Sequence, residues 1–197
     1  MTELQIIFQQ CWDRLSLASQ TPGSAWRTPV LATTAARGPR QRTVVLRMVD
    51  LNEMLLWLHT DVRSAKVQQL IAQPMASLLF YDSVTETQLQ VRGQAVVQTA
   101  GPQWQQLWNN SPETSLRMYL APQIPGNPAA AATSNLPDSV AARIPTREEL
   151  ADGLQNFAAV GIQAEQIEWL QLSRSGHRRA AFDIAEGQLQ HATWLEP

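Results

Sequence analysis

Cationic and hydroxyl side chains stand close together in two stretches of the chain. Lys66 is the only lysine, and it follows Thr60 and Ser64 where a predicted strand passes into a predicted helix. Arg42 and Arg47 stand at the two ends of the run RTVVLR. A helix N-terminus favours an anion, and a guanidinium, an ammonium and a hydroxyl together suit a dianionic phosphate. We therefore expect Arg42 and Lys66 to converge on one phosphate; the alternative is that both are solvated surface charges.

Other kinds of chemistry lack their sequence patterns. The chain has no G-x-S-x-G motif and no cysteine next to a plausible base, so no nucleophile is predicted. His59, His177 and His191 are scattered and do not form a metal-binding spacing. No G-x-G-x-x-G sequence follows a predicted strand. We therefore expect no catalytic side chain and no metal site.

The composition is that of a globular protein. Hydrophobic residues make up 44% of the 197 residues and charged residues 16%, which favours a single domain over residues 1–197. The formal charge of −2 argues against nucleic acid and against an anionic membrane as partners. The single cysteine, Cys11, fits a reducing compartment. The N-terminus does not resemble a signal peptide, and no apolar run reaches the length of about 20 residues that is needed to span a bilayer. We expect a cytoplasmic protein.

The elements that must position these residues are mostly short strands. Apolar spacing predicts an N-terminal helix within residues 1–20, and Asp61 or Ser64 can cap the helix that carries Lys66. Residues 121–145 hold five prolines and predict a long loop, of the kind that usually forms a lid or a mobile segment. The Thr146–Glu149 capping box predicts a helix over residues 146–161. About eight short strands complete a mainly β (α+β) fold, a small barrel decorated with helices.

Four motifs in order resemble a known family. They are RTVVLR (42–47), LHTDVRSAKVQQLIAQPMASLLF (58–80), TQLQVRGQA (87–95) and AEQIEWLQLSRSGHRRAAFD (164–183). Together they resemble the pyridoxamine 5′-phosphate oxidase family of FMN-binding split barrels. The resemblance implies a six-stranded antiparallel Greek-key split β-barrel with peripheral helices. It also implies a homodimer with FMN bound at the subunit interface.

The resemblance also assigns roles to individual residues. Arg42 and Lys66 match positions that contact the FMN phosphate, and Thr60 and Ser64 match hydroxyl positions in the same turn. Gln88 matches a glutamine that reaches the flavin. The backbone that lies along the flavin would be that of Thr43, Val44 and Val45.

The chain departs from the family at two places. Beside Lys66, Ala65 stands where the family commonly has a phosphate-binding arginine, and Arg63 could partly replace that arginine. In the set that holds the substrate phosphate of the oxidase proper, Leu107 and Ser111 replace a tyrosine and an arginine, so only Ser115 remains. The other candidates for substrate binding are Arg47, which stands where the family has a lysine near the flavin's reactive face, and His177 and Arg178.

These departures indicate a divergent member, related to the oxidase but not the oxidase proper. We expect an FMN-binding oxidoreductase whose small-molecule substrate the sequence does not reveal. Two alternatives remain open. One is a flavin-binding or flavin-storage module without turnover, and the other is a split barrel that uses another cofactor, such as a deazaflavin or haem.

Overall fold

Two compact units make up the chain. The computed structural model describes all 197 residues. One unit consists of Met1–Leu58, Gln69–Val96 and Gly161–Pro197, and the other of His59–Gln68 and Val97–Val160. That the whole chain is one domain stays a prediction.

The secondary structure alternates strands with short helices. The strands are β1 (Val30–Ala35), β2 (Gly38–Thr43), β3 (Met48–Asp50), β4 (Leu55–Asp61), β5 (Met75–Asp82), β6 (Thr87–Gln98), β7 (Phe157–Gln171), β8 (Arg178–Ala185) and β9 (Gln188–Leu195). The α-helices are α1 (Glu3–Gln20), α2 (Ala65–Ala72), α3 (Pro102–Asn110), α4 (Glu113–Leu116) and α5 (Asp138–Ala141). Short 3₁₀ helices cover Ala25–Arg27, Arg117–Leu120 and Ala151–Asn156.

The nine strands form one sheet. Its order is β2-β1-β5-β6-β7-β4-β3, with β8 on β7 and β9 on β8. The hairpins β1–β2, β5–β6, β7–β8 and β8–β9 are all antiparallel. The predicted class, mainly antiparallel β with several helices, is confirmed. The predicted number of six strands was wrong, because the short β3 pairs with β4 and the β8–β9 hairpin extends the sheet beyond β7.

Strict alternation along β5 and β6 builds the core of the first unit. On β5 the buried side chains of Ala76, Leu78 and Phe80 alternate with exposed Leu79 and Tyr81. Period-two burial of this kind is the signature of a strand with one face on the core. The sequence predicts strands over MASLLFYD and TQLQVRGQAVVQT, and the structure confirms both to within one residue.

Helix α1 packs its apolar face on the same unit. Thr2 and Gln5 form a reciprocal capping box at its start, which supplies partners to N–H groups that the helix itself leaves unpaired. Phe8 contacts the ring of Phe182 on β8, with 5.5 Å between centroids. Leu15 is completely buried. The predicted N-terminal helix is confirmed.

Aromatic rings fill the core of the second unit. The ring of Phe157 lies 5.0 Å from that of Tyr119 and 5.1 Å from that of Trp108. His59 lies 5.3 Å away, and the indole N–H of Trp104 donates to the Phe157 carbonyl at 3.0 Å. Edge-to-face contacts of this kind stabilise a core beyond area burial alone.

The helix predicted over residues 146–161 was wrong. The capping box itself is present, because the Thr146 N–H donates to Glu149 at 2.8 Å and the Glu149 N–H to Thr146 Oγ1 at 3.3 Å. It leads only into turns and the 3₁₀ helix Ala151–Asn156, and β7 begins at Phe157. Two reciprocal hydrogen bonds can therefore close a turn without starting an α-helix.

The run RTVVLR is only partly a strand. Strand β2 ends at Thr43, and the chain then continues without regular pairing to β3. Three backbone bonds still hold this segment: Val44 N to Pro29 O at 2.9 Å, Leu46 N to Arg27 O at 2.8 Å, and Arg47 N to Trp57 O at 2.9 Å. The segment is thus fixed although it is irregular.

Residues 121–145 form the predicted long connection, interrupted by the single turn of α5. Among the helices, none combines the length and the apolar character that crossing a lipid bilayer demands.

Candidate cofactor site

Arg42 on β2 is held by uncharged groups of the first unit. Its Nη1 donates to Thr33 Oγ1 at 2.6 Å, and its Nη2 donates to Gln69 Oε1 at 3.1 Å. The Thr33 hydroxyl donates in turn to Gln69 Oε1 at 2.7 Å. The register places Arg42 opposite Leu31, so its side chain lies on the face of β1 that is buried.

The surroundings of Arg42 disfavour an uncompensated positive charge. Partial burial lowers the pKa of the Arg42 guanidinium, and the nearby charge of Arg40 lowers it further. None of the six ion pairs in the structure includes Arg42. An anion at this point would therefore relieve a charge that the chain itself does not neutralise.

Lys66 lies in a cluster of hydroxyls in the second unit. Its ammonium Nζ donates to Thr60 Oγ1 at 2.9 Å and to Ser64 Oγ at 3.2 Å. The two hydroxyl oxygens are 3.5 Å apart. Three residues that the resemblance assigned to FMN thus share one hydrogen-bonded cluster; that they bind a phosphate stays a prediction.

The turn between β4 and α2 fixes this cluster. Ser64, which is buried, donates its hydroxyl hydrogen to the Asp61 carbonyl at 2.7 Å, and the Val67 N–H bonds the Ser64 carbonyl at 3.0 Å. The Asp61 carboxylate accepts from the Arg63 N–H at 2.8 Å. Lys66 follows as the second residue of α2, at the helix start, where free N–H groups favour an anion.

The Arg63 guanidinium is engaged by groups of the second unit, and its partial replacement of the missing phosphate arginine stays a prediction. Its Nε and Nη2 both donate to the Asp61 carboxylate, at 3.0 and 2.7 Å, and Nη2 also donates to the Ala121 carbonyl at 2.8 Å. Hydrogen bonding to the Asp61 carboxylate raises the pKa of Arg63. The guanidinium therefore ties the start of the 121–145 connection to the β4–α2 turn.

The remaining predicted flavin contacts lie in the first unit. Thr43 ends β2 and is exposed, and Val44 and Val45 follow it half-buried in the irregular segment. Gln88 pairs with Tyr81 across the β5–β6 hairpin. It is half-buried and lies on the face of β6 opposite Leu89, so it points away from the core side of that strand.

The four predicted substrate residues stand on different elements of the chain. Arg47 lies in the first unit and bonds Trp57 through its backbone. Ser115 lies in the second unit, half-buried on α4. His177 is in the exposed turn before β8, where its Nδ1 accepts from the Ser173 N–H at 3.1 Å, and Arg178 begins β8 with an ion pair to Glu3. Their role in substrate binding stays a prediction.

The two substituted positions of the substrate-phosphate set are closed off. Leu107 and Ser111 are both buried in the second unit. The Ser111 hydroxyl donates to the Leu107 carbonyl at 2.7 Å, and the Ser111 carbonyl accepts from Arg147 at 2.6 Å. Neither side chain is available to a phosphate.

Sequence patterns missed two features of these regions. Thr33 and Gln69 hold Arg42 although they are 36 residues apart, and only the β1–β2 register could have pointed to Thr33. His59, which looked isolated, has its Nδ1 2.5 Å from the Tyr119 hydroxyl. Tyr119 is 60 residues away, so no local signal joins them.

Comparison with known proteins relates part of the chain to one family. Residues 9–99 match the family model described as pyridoxamine 5′-phosphate oxidase, FMN-binding domain. The resemblance that the motifs indicated is therefore confirmed. The matched stretch contains Arg42, Thr60, Ser64, Lys66 and Gln88.

One curated relative shares part of the chain. Pyridoxine/pyridoxamine 5′-phosphate oxidase 2 of Arabidopsis thaliana is 32% identical over 106 residues, which cover 50% of this chain and 53% of the relative. The match therefore spans about half the length of each protein.

Two solved structures share the fold over the whole chain. A pyridoxamine 5′-phosphate oxidase-related, FMN-binding protein from Nostoc punctiforme PCC 73102 is 22% identical with a TM-score of 0.71, covering 100% of this chain and 99% of its own. PhzG from Burkholderia lata 383, solved with tetrahydrophenazine-1-carboxylic acid, is 19% identical with a TM-score of 0.67, covering 100% and 94%. At these identities the likeness shows a common fold.

Proposed function

We propose that this protein is an FMN-dependent oxidoreductase related to pyridoxamine 5′-phosphate oxidase. One observation carries the proposal: Arg42, a partly buried cation without a carboxylate partner, stands in a segment that matches an FMN-binding domain. The relatives named above include an oxidase and an FMN-binding protein. Both support this class of activity.

The donors present suit a phosphate monoester. Arg42 offers a planar fork, Lys66 a point charge, and Thr60 and Ser64 neutral hydroxyls, which is the mixture that a dianion with three terminal oxygens requires. We propose that Arg42 and Lys66 bind the same FMN phosphate. Thr60 and Ser64 would complete its hydrogen bonds.

The flavin ring would be bound by other parts of the matched stretch. The Thr43–Val45 backbone would lie along the ring, and Gln88 would donate or accept a hydrogen bond at its edge. When bound, FMN supplies the hydride-transfer chemistry, while the protein orients the cofactor and tunes its electronics. We therefore assign no side chain as a catalytic acid or base.

The substrate is proposed to be a small molecule that is not held by a phosphate. The buried positions Leu107 and Ser111 support this, since Leu107 has no side-chain donor and the Ser111 hydroxyl already donates to the Leu107 carbonyl. Arg47, Ser115, His177 and Arg178 remain the proposed substrate contacts.

We further propose a homodimer. Met75, Leu79 and Tyr81 on β5 leave 42%, 38% and 47% of their surface exposed on one face of the sheet, and exposed apolar clusters mark association surfaces. Light scattering coupled to gel filtration would test this. The wild type should be a dimer, and the Tyr81→Glu variant should contain a larger fraction of monomer. A monomeric wild type would contradict the proposal.

Identification of the bound chromophore tests the cofactor. The protein is purified, denatured, and the released compound identified by chromatography and mass spectrometry; FMN is expected. A deazaflavin or haem in its place would overturn the cofactor assignment. If the purified protein is colourless, adding FMN should produce a flavin absorbance band at about 450 nm and should raise the thermal stability of the protein.

Turnover is tested on the FMN complex. Stopped-flow reduction by NADPH followed by reoxidation with oxygen is expected to show the flavin cycling. An Arg42→Gln variant should bind FMN less tightly, whereas Arg37→Gln, in the exposed β1–β2 turn, should bind as the wild type does. A bound flavin that NADPH does not reduce and that, once reduced, oxygen does not reoxidise would indicate a flavin-storage module.

A further inference from the structure

A second potential ligand site lies in the first unit, against helix α1. It is a groove of about 570 Å³ between α1, the start of β6 and the end of β7. Its apolar lining is formed by the side chains of Ile7, Cys11, Trp26 and Trp169. Polar and charged side chains, among them Glu3, Arg14 and Arg178, form the rest of the lining. A concave site that combines apolar side chains with a few placed polar groups is typical of small-molecule binding.

One of the two arginines at this groove is neutralised within the protein. The guanidinium carbon of Arg14 lies 4.1 Å from the centre of the Trp26 ring. Arg14 is paired with the carboxylate of Asp82, a buried residue, and its Nη1 donates to Thr85 at 3.2 Å. This charge is therefore already matched.

The other arginine is oriented but only loosely neutralised. The guanidinium carbon of Arg178 lies 4.8 Å from the ring centre of Trp194 and 5.9 Å from that of Trp169. Such contacts hold a guanidinium plane in place. Its ion-pair partner is Glu3, at 2.7 Å, and the side chains of Arg178 and Glu3 are 46% and 64% exposed.

We propose that this groove binds a planar aromatic monocarboxylate, whose carboxylate replaces that of Glu3 on Arg178. An exposed ion pair stabilises little, so Glu3 can be displaced. The ligand's ring would lie on the apolar wall. A carboxylate offers Arg178 the planar pair of acceptors that its fork geometry matches.

The charges at the groove favour a monoanion over a phosphate. The charges of Arg14 and Asp82 neutralise each other. Once Glu3 is displaced, one positive charge, that of Arg178, remains for the ligand to neutralise. A dianion would leave one negative charge unpaired beside an apolar wall, which is costly. The groove is therefore chemically distinct from the proposed flavin-phosphate donors. This inference takes Arg178 out of the set of proposed substrate contacts, and it does not rest on the flavin proposal.

Isothermal titration calorimetry with 1-naphthoate and its neutral counterpart 1-naphthamide tests this site. Naphthoate should bind the purified protein about tenfold more tightly than naphthamide, because only naphthoate can make a charge-assisted bond to Arg178. Glu3→Gln should tighten naphthoate binding several-fold, since it removes the competing carboxylate. A gain of affinity in this variant cannot arise from misfolding.

Two further variants complete the experiment. Arg178→Gln should reduce naphthoate affinity to the level of naphthamide, whereas Arg174→Gln, in the exposed turn outside the groove, should leave it unchanged. Equal affinity for both probes, or no binding by either the wild type or Glu3→Gln, would overturn the proposal. So would loss of naphthoate binding under saturating FMN, because the probe would then occupy the flavin site. A protein that binds naphthoate but no FMN would refute only the flavin proposal.

Discussion

Gln69 holds Arg42 through an oxygen that carries no charge. The guanidinium Nη2 of Arg42 donates to Gln69 Oε1 at 3.1 Å, and the same oxygen accepts from the Thr33 hydroxyl at 2.7 Å. Thr33 also accepts from Arg42 at 2.6 Å, so the three side chains form a closed set. A carboxylate at position 69 would hold Arg42 equally well but would cancel its charge. The amide therefore positions the guanidinium and leaves it able to attract an anion.

Gln69→Glu should weaken FMN binding by about tenfold, because the new carboxylate pairs with Arg42 and repels the phosphate. Riboflavin, which has no phosphate, should bind the variant and the wild type equally. Quenching of flavin fluorescence on titration with protein measures both affinities.

Gln68→Glu is the matched control, since it adds the same charge at the exposed neighbouring position of α2. It should leave both affinities near wild type. If Gln69→Glu lowered the affinities for FMN and riboflavin by the same factor, Gln69 would have a general structural role.

Lys66→Ala should reduce FMN affinity by about 1–3 kcal/mol, as expected for loss of a charge-assisted partner of the phosphate. Thr60 and Ser64 would remain to bind the oxygens as neutral donors. Calorimetry with FMN and riboflavin separates phosphate binding from ring binding. Unchanged FMN affinity would remove Lys66 from the site.

Arg63→Ala should leave FMN affinity unchanged, in contrast to Lys66→Ala, because its guanidinium is committed to Asp61 and Ala121. The protein should instead lose about 1–3 kcal/mol of unfolding free energy, because Asp61 is buried and loses its charged partner. Urea unfolding followed by tryptophan fluorescence measures this loss. Weakened FMN binding with normal stability would restore the hypothesis that Arg63 replaces the missing phosphate arginine.

Local patterns predicted the elements that carry the cofactor motifs. Helix α1 and strand β6 were predicted correctly because one face of each is apolar and the other polar, with a period of 3.6 or 2. Strand β5 is apolar on both faces and was predicted from its short run of strand-forming residues. The start of β7 gave no such signal. Residues 157–162 are all buried, and a short continuous apolar run is equally compatible with a buried helix.

Residues that are far apart in sequence explain what the patterns could not predict. The cluster of Thr60, Ser64 and Lys66 spans only the β4–α2 turn and the adjoining ends of β4 and α2, so its spacing could be recognised in the sequence. The support of Arg42 by Thr33 and Gln69 depends on the β1–β2 register and on where α2 packs. Neither the register nor the packing of α2 can be predicted from the local sequence.

Cys11 should make stability fall at alkaline pH. Burial raises the pKa of its thiol from 9.0 to about 12, so the folded state holds this proton more tightly than the unfolded chain. The effect is absent while both states are protonated, and stability decreases as pH rises from about 9 towards 12. Linkage gives a loss of about 1.4 kcal/mol at about pH 10.

Urea unfolding of the wild type and of Cys11→Ala at near-neutral and alkaline pH measures this contribution. The variant should lose less stability than the wild type over the same pH interval, whatever its stability at neutral pH. The native thiol should also resist a disulfide reagent at about pH 8 and react fully after unfolding. Rapid reaction of the folded protein would show that the thiol is not protected.

Gly93→Ala should destabilise the fold by about 3 kcal/mol or more, because β6 and β7 approach too closely for a side chain. A Cβ at Gly93 would lie 1.7 Å from the Gln163 carbonyl oxygen and 2.7 Å from its carbon. Because these are backbone atoms, the clash can be relieved only if β7 moves; rotation of a side chain is not enough.

Gln94→Ala, at the exposed next position, is the control and should change the free energy of unfolding little. Since β6 also carries Gln88, folded Gly93→Ala protein should bind FMN and riboflavin more weakly by the same factor. An unfolding midpoint equal to that of the wild type would contradict the close approach of the two strands.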